Sequence, residues 1–464
     1  SLGHNKDPEM VGQALSALSN SAALEGQPRG FLVWGIDDAT HEIIGTSVDP
    51  RTQKKGNEDF IPWLTRLISP QTHLEFEEVD VEGKRVVLAS IAAAAYRPVQ
   101  FSGTEYIRTG SYTKDLRSLP DHERRLWALF SRTPFEAGFA RDRVSDKQVL
   151  ELLAHEAYFE LLEVPEPVDE SAALEVLASE KLIVRAPGSG WMITNMGALL
   201  FARDLSDFPT VARKAARVIR YDGRDRSSSA EEQQGSMGYA VGFRGLLKFV
   251  ERRVPSREEF KDGVRKDTPV YPAKVLRELI VNALVHQDFF ASGSGPMIEI
   301  FADWFEISNP GRPLVDENRL IDAAPQSRNE ALASLMRRMG LCEERGSGWD
   351  QVVALIEVYE LPAPLVQTGD DYMRVSVFSH RPLSAYSKDD RIRAVYFHTC
   401  LMHVRHSRAT NTTVRERFKI ADRNSAAASR LIKDALEAGV IASYDPSVGA
   451  KAKSYVPFWA DPQR

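Results

Sequence analysis

The stretch Leu276 to Pro310, reading LRELIVNALVHQDFFASGSGPMIEIFADWFEISNP, restricts the fold more than any other because two periods meet in it. Glu278, Asn282 and His286 recur every four residues in an otherwise apolar run, which places them on one face of a helix. Leu279, Ile280, Ala283 and Leu284 take the other side and predict a helix laid on a sheet. Met297, Glu299 and Phe301 then alternate with Ile298 and Ile300, the period of a strand. A carboxylate, an amide and an imidazole aligned beside a sheet can bind a metal-bound nucleotide; three solvated residues on a helix give the same spacing.

At 464 residues the chain exceeds what one core supports, so three or four domains are expected. Its 43% apolar and 27% charged residues are ordinary for a globular protein. No apolar run nears the roughly 18 residues of a membrane span, and no basic-apolar-small leader opens the chain, so a cytoplasmic location without a membrane partner is expected. A start at Ser1 reads as a trimmed chain or one beginning inside a longer domain. Cys342 and Cys400 lie far apart without CxxC spacing, which argues against a disulfide framework or a zinc ribbon. Net charge is -6, yet Ala385 to Arg464 carries fourteen Lys and Arg against eight Asp and Glu. A basic end on an acidic body points to a phosphate-bearing partner there, although a solvated basic surface looks the same.

Four regions follow from the pattern. Residues 1–118 read as a small α/β domain with a helix over Pro8 to Ala23, a strand over Gly30 to Ile36, and a hairpin from Val79 to Val81 through Glu82-Gly83 to Arg85 to Ile91. Residues 119–210 read as a helical connector with a winged-helix-like end, beginning with a helix over Asp121 to Arg132. In residues 211–382 a buried strand is expected over Val211 to Tyr221 and a mobile loop over Asp222 to Ser236. Residues 383–464 read as a winged helix-turn-helix. Helices cover Asp390 to Arg405, Thr413 to Phe418 with Asn411 or Thr412 as cap, and Ser425 to Ala438 ended by Gly439, before a β-wing. The last helix carries an apolar stripe of Ala428, Leu431, Ile432, Ala435 and Leu436.

Glu278-x-x-x-Asn282, Asn309-Pro310-Gly311, Arg328-Asn329 and Glu344-Arg345-Gly346-Ser347-Gly348 resemble the nucleotide-binding boxes of a divergent branch of the GHKL ATPase superfamily, the class of gyrase and the histidine kinases. That branch occurs in bacterial RecG-like, helicase-related transcriptional regulators of the divergent AAA-4 type. The resemblance implies an α/β sandwich in which Asn282 holds Mg²⁺, Glu278 polarises the attacking water, and Gly346 to Gly348 bring backbone amides to the phosphates of ATP. His286, Asp288, Asn309, Gly311, Arg328 and Asn329 join the implied nucleotide set. Asn309 stands where the superfamily has an adenine-reading aspartate, and no second glycine follows Gly311 two residues on; the Asn-Pro and Pro-Gly pairs also make a plain turn.

Gly30 to Asp38 and Glu105 to Ser111 resemble the Schlafen/Alba-type domain that fronts these regulators, with Arg108 and Lys114 as nucleic-acid candidates, while the family's opening acidic segment is missing. At the other end Arg415, Arg417, Arg423, Ser425, Ser429, Arg430, Lys433, Lys451 and Lys453 are the expected DNA contacts. His398, Cys400, His403 and His406 have partial zinc-like spacing, but on a helix Cys400 points away from the histidines. The expected function is a homodimeric DNA-binding transcriptional regulator gated by ATP and Mg. The alternatives are a weak ATPase acting on nucleic acid and a scaffold that keeps the fold without the ligand. A helicase motor is disfavoured because no GxxxxGK[ST] loop is present.

Overall fold

The computed structural model describes residues 7–37, 40–70, 72–95, 97–110, 112–130, 134–261, 264–291, 293, 295–324, 326–342, 348–369, 371–449 and 452–462, with backbone only over 257–261 and 264–268. The protein is a mixed α/β, multidomain chain with several separate sheets. It divides into two compact units, one of residues 1–153, 167–198 and 205–212, the other of residues 154–166, 199–204 and 213–464. No described helix is long and apolar enough to cross a membrane.

In the first unit the helix Pro8–Leu24 starts where its sequence says it should: Pro8 fixes the first turn, and the Asp7 carboxylate accepts from Glu9 N at 3.1 Å. This helix is buried along polar as well as apolar positions. Asn20 donates to the carbonyls of Val99 and Tyr106 at 2.9 and 2.8 Å and accepts from Val99 N at 2.7 Å, while Ser16 donates to Val99 O at 2.7 Å. The small residues thus finish the backbone bonding of neighbouring segments, which makes their burial tolerable. The helix packs against an antiparallel sheet in which Lys84–Ala92 lies between Arg29–Trp34 and Leu74–Val81. The expected hairpin turn is present, with Glu82 and Gly83 at φ 55° and 76°, both left-handed as a tight two-residue loop requires. Gly30 is glycine because a Cβ there would stand 2.8 Å from Leu18. Arg108 is half-buried and Lys114 exposed. The helix expected over Asp121 to Arg132 runs Pro120–Phe130, and Arg132 lies outside the described residues.

The second unit is built on a six-stranded sheet in the order Ala230–Gln234, Arg217–Tyr221, Met297–Ile300, Trp304–Pro310, Tyr372–Phe378, Leu365–Thr368. Only Arg217–Tyr221 and Met297–Ile300 run parallel, and the crossover between them contains the helices Tyr239–Glu251 and Ala273–His286. Two expectations need correction here. Strand structure covers only Arg217–Tyr221 of the expected Val211 to Tyr221, since residues 211–216 are turn and irregular backbone, and the Lys214 carbonyl accepts from the Tyr239 hydroxyl at 2.7 Å instead of from a neighbouring strand. The expected loop Asp222 to Ser236 contains an edge strand, Ala230–Gln234 (AEEQQ), fully exposed and without apolar alternation; backbone pairing with Arg217–Tyr221 makes it a strand.

The inner face of this sheet carries Phe305, Ile307 and Val375 beneath the helix Ala273–His286. On the outer face Glu299 and Glu306 sit directly opposite each other, 1% and 3% exposed. Like charges so placed repel, and Arg226 resolves the conflict by donating to both oxygens of Glu299 at 2.7 Å and to Glu306. Burial pushes both carboxyls up. At Glu299 the hydrogen bonds of Arg226 overcome burial and hold the pKa below the usual value, whereas at Glu306 burial and the hydrogen bond to Glu299 raise it.

The chain ends in three helices, Lys388–Val404, Asn411–Arg417 and Ser425–Glu437, and an antiparallel pair Ile441–Ser443 with Tyr455–Pro457. The cap of the middle helix is Thr410, one residue before Asn411 and two before Thr412, because its hydroxyl and that of Thr413 close a reciprocal capping box. Gly439, at φ 69°, ends the last helix. Leu436 of the expected stripe is exposed, while Ala428, Leu431, Ile432 and Ala435 are buried.

The outer carboxyl pair yields a signed expectation. A carboxyl with a raised pKa gives stability that is full below its unfolded pKa and lost as pH rises through the folded value; one with a depressed pKa gives stability lost as pH falls through its folded value. Glu306→Gln, a mimic of the protonated acid, therefore leaves stability at pH 7 unchanged or higher. Glu299→Gln strips Arg226 of its two-pronged partner and lowers it by about 2 kcal/mol, since half of the arginine side chain faces solvent. Urea unfolding of both variants at pH 7 and pH 5 checks the order.

Candidate functional site

The helix Ala273–His286 buries nine of its residues, Glu278 among them, because the sheet lies on one side and the helices Tyr239–Glu251 and Gly348–Val358 on others. Glu278 is 8% exposed, so it is no solvated surface residue. Asn282, one turn on, donates its amide to Glu278 Oε1 at 3.3 Å. The start of helix Gly348–Val358 comes so close that a Cβ on residue 348 would stand 1.9 Å from Glu278 Oε1. A side chain at residue 348 would require the Glu278 carboxylate to move.

Glu278, Asn282, His286, Asn309, Gly311, Arg328 and Gly348 all line one cavity of about 570 Å³. Its floor is the inner face of the sheet at Ile307, Asn309, Met373 and Val375, and its walls are the helix Ala273–His286, the segment 311–324 and the helix Glu330–Arg338. At the mouth part of the His286 surface stays open; the protein packed around its ring, and then the Arg328 guanidinium, hold its pKa below the ordinary histidine value, so the imidazole is neutral at pH 7. The turn at Gly311 is tight. Its φ of 99° and its approach to Asp288 and Arg328, within 2.5 and 2.6 Å of where a Cβ would be, both demand glycine. Asp288 N donates to Pro310 O at 2.8 Å, Gly311 N to Asp371 O at 2.7 Å, and Arg328 to Arg312 O at 2.8 Å, so Asp288 and Arg328 stitch this turn to the end of the helix. The Asp288 carboxylate accepts from Phe290 N at 2.9 Å.

Asn329 stands behind the cavity. It is 3% exposed, and its amide donates to Val285 O at 2.7 Å and Gln287 O at 2.9 Å, satisfying carbonyls that the helix end leaves without partners. Gly346 and Ser347, with Glu344 and Arg345, lie outside the described residues; of the Gly-x-Gly pattern only Gly348 is placed. Among the described residues no three His, Cys, Asp or Glu side chains gather as a metal site.

Several cavity residues escaped the sequence reading. Arg312 follows Gly311, Trp349 follows Gly348, and Glu330, Ala333, Ser334 and Arg337 reach the cavity from one helix face. The i, i+3, i+4, i+7 spacing of that last set was the available signal. Cys342 also lines the wall, its thiol pushed up to about 12 by burial and then by Glu278, which makes it inert.

At the chain's end Arg423, Ser425, Ser429, Arg430, Lys433 and Lys453 are exposed, and Lys451 lies outside the described residues. Arg415 is tied to Asn411 at 3.0 Å and to Asp422. Arg417 is turned inward, 7% exposed, donating to Leu361 O at 2.7 Å and pairing with Glu357 at 3.3 Å. The His/Cys cluster is dispersed: His398 bonds Glu357 and Thr413 at 3.1 and 3.0 Å, Cys400 is wholly buried, and His403 packs edge-on to Trp459.

Against known families, residues 1–117 match the one described as "Schlafen, AlbA_2", and residues 293–377 match "Putative ATP-dependent DNA helicase recG C-terminal". The second match covers four of the six sheet strands, the segment 311–324 and the helices Glu330–Arg338 and Gly348–Val358, and leaves out Arg217–Tyr221, Ala230–Gln234 and the Glu278–Asn282 helix. No curated protein matches. Among solved structures, the DIP2311 protein from Corynebacterium diphtheriae aligns over all of this chain and 89% of its own, at 17% identity and a TM-score of 0.44.

Gly348→Ala tests the packing. In an open helix this change stabilises by up to about 1 kcal/mol; here the methyl meets the Glu278 carboxylate, and a loss of about 1–3 kcal/mol is expected in thermal unfolding.

Proposed function

We propose that this protein is a DNA-binding regulator whose middle domain, GHKL-like in fold, binds ATP with Mg in the cavity beside Glu278 and Asn282. The observation that carries the reading is the convergence of those two residues with Asn309, Gly311, Arg328 and Gly348 on one cavity large enough for a nucleotide. Three arginines, Arg312, Arg328 and Arg337, line it and suit an anionic ligand. The match of residues 293–377 to a helicase-related family supports nucleotide chemistry. With the Asn282 amide nitrogen committed to Glu278, its oxygen is left to face a hard cation, and one amide oxygen beside one carboxylate suits a Mg²⁺ that arrives with its nucleotide, completing its shell from phosphates and water. Mg²⁺ would there neutralise phosphate charge. Glu278 is packed against Gly348 and held by Asn282, an arrangement that favours binding over rapid turnover; ATP hydrolysis acting on nucleic acid is the second reading, and steady-state phosphate release separates the two.

The terminal helices and strand pair we read as a winged helix-turn-helix in which Ser425–Glu437 enters the major groove. Its exposed Ser425, Ser429, Arg430 and Lys433, with Arg423 and Lys453 beside it, support that reading. Arg415 and Arg417 serve the module from inside. The front domain, Schlafen/Alba-type, offers Lys114 as a nucleic-acid contact. A cytoplasmic homodimer would present two such helices to two half-sites.

Calorimetric titration with Mg-ATP is expected to give saturable binding that weakens at least about tenfold in Asn282→Ala; equal affinity in a folded variant would sink the site. For DNA, the triple change Arg423→Ala, Arg430→Ala, Lys433→Ala should reduce the salt slope of binding by roughly one for each phosphate no longer neutralised. A wild-type affinity insensitive to salt would favour an interaction scaffold instead.

A further inference from the structure

The cavity wall formed by residues 312–324 has two sides, and both are engaged. One side meets the cavity through Arg312, Leu314, Leu320 and Ala323. The other is held by the C-terminal helices and tail. The Tyr396 hydroxyl donates to Asn318 O and accepts from Trp459 Nε1 at 3.1 Å. The Arg319 guanidinium lies 4.8 Å from the centre of the Trp459 ring. Ile321, 5% exposed, is buried in one cluster with Tyr396, Phe397, Cys400 and Leu401.

A second strut runs alongside. The helix Gly348–Val358 begins against Glu278 at the cavity. Val353 in its middle belongs to the same buried cluster as Ile321. At its last turn Glu357 takes His398 Nδ1 at 3.1 Å and Arg417 Nε at 3.3 Å, and so holds the first two C-terminal helices at once. Close-packed elements shift as bodies and do not deform smoothly. Whatever displaces the wall or the start of this helix therefore acts on the terminal module.

We propose that the wall 312–324 and the helix Gly348–Val358 transmit occupancy of the cavity to the C-terminal helices, so that a ligand in the cavity and a partner on helix Ser425–Glu437 bind with reciprocal coupling. This rests on the nucleotide and DNA reading above for the identity of the two ligands, but the transmission itself is a property of the packing. Because coupling is symmetric in free energy, the same contacts let DNA alter nucleotide affinity as strongly as nucleotide alters DNA affinity.

The test has a ligand-free arm and a ligand-bound arm, both on the full chain. Without ligand, amide hydrogen exchange is compared between wild type, Gly348→Ala and Leu320→Ala, two changes made at the cavity. Exchange in residues 411–417 and 425–437 is expected to rise about threefold or more. Changes that stop short of residue 388 overturn the proposal, and Leu320→Ala decides alone if Gly348→Ala does not fold. With ligand, wild-type affinity for duplex DNA should shift at least about fivefold on adding Mg-ATP. The double variant Arg319→Ala, Tyr396→Phe should bind Mg-ATP as wild type does and lose that shift. A shift retained in full overturns the wall as the route. If wild type binds no Mg-ATP, the nucleotide reading fails, and the exchange arm still decides on transmission.

Discussion

Glu278 carries its carboxylate inside a helix that is covered on most sides, where an unpaired charge would cost several kcal/mol. Its surroundings follow from that constraint. Asn282 stands one turn on and gives it a hydrogen bond, and glycine at residue 348 leaves its carboxylate where it is. The helix that begins at Gly348 is thereby fixed in position, and with it the cavity edge and the floor of the C-terminal cluster through Val353. A buried polar residue thus marks where the helices Ala273–His286 and Gly348–Val358 approach each other.

The two faces of the six-stranded sheet solve opposite problems. On the inner face the strands offer apolar side chains and one amide, Asn309, to a cavity whose charges come from the walls around it. On the outer face charge is buried in the sheet itself, and Arg226 neutralises it from a loop. That loop lies beyond strand Arg217–Tyr221, held by Asp225 accepting from Ser227 N at 2.9 Å and by Arg226 on the carboxyl pair. Residues with every compositional mark of a mobile connection are pinned by Arg226 and by short-range bonds such as Asp222 N to Ser229 O at 3.0 Å, and they lead into an edge strand paired through its backbone.

What the sequence disclosed and what it hid divide along a physical line. Side-chain periods were legible: the helix at 273–286, the strands at 297–300 and 455–457, and the stripe Ala428, Leu431, Ile432, Ala435 report burial directly. The edge strand Ala230–Gln234 was hidden because its pairing uses only backbone, and Thr410 because capping depends on which hydroxyl turns inward. At the site the line falls in the same place. Glu278 and Asn282 stood out as polar residues in an apolar period. Asn329 looked like a ligand contact because an amide that caps a helix end and one that faces a nucleotide are the same residue to a reader of sequence. Arg417 misled for the same reason, a basic residue in a basic segment whose guanidinium serves Leu361 and Glu357.

The inward turn of Arg417 has a consequence for the terminal module. Of the basic residues there, Arg415 ties its own helix to Asp422 in the following turn and Arg417 ties that helix to Glu357 and Leu361 O, while Arg423, Arg430, Lys433 and Lys453 remain exposed. The charges therefore divide by position, with the inner Arg417 guanidinium locking its helix onto Glu357 and the outer cations turned to solvent. Glu357 joins the two, since it holds His398 on one helix and Arg417 on the next, and its own helix starts beside Glu278. The buried contacts of Glu357 with His398 and Arg417 therefore do more to fix how the parts move together than to raise net stability, which desolvation largely cancels.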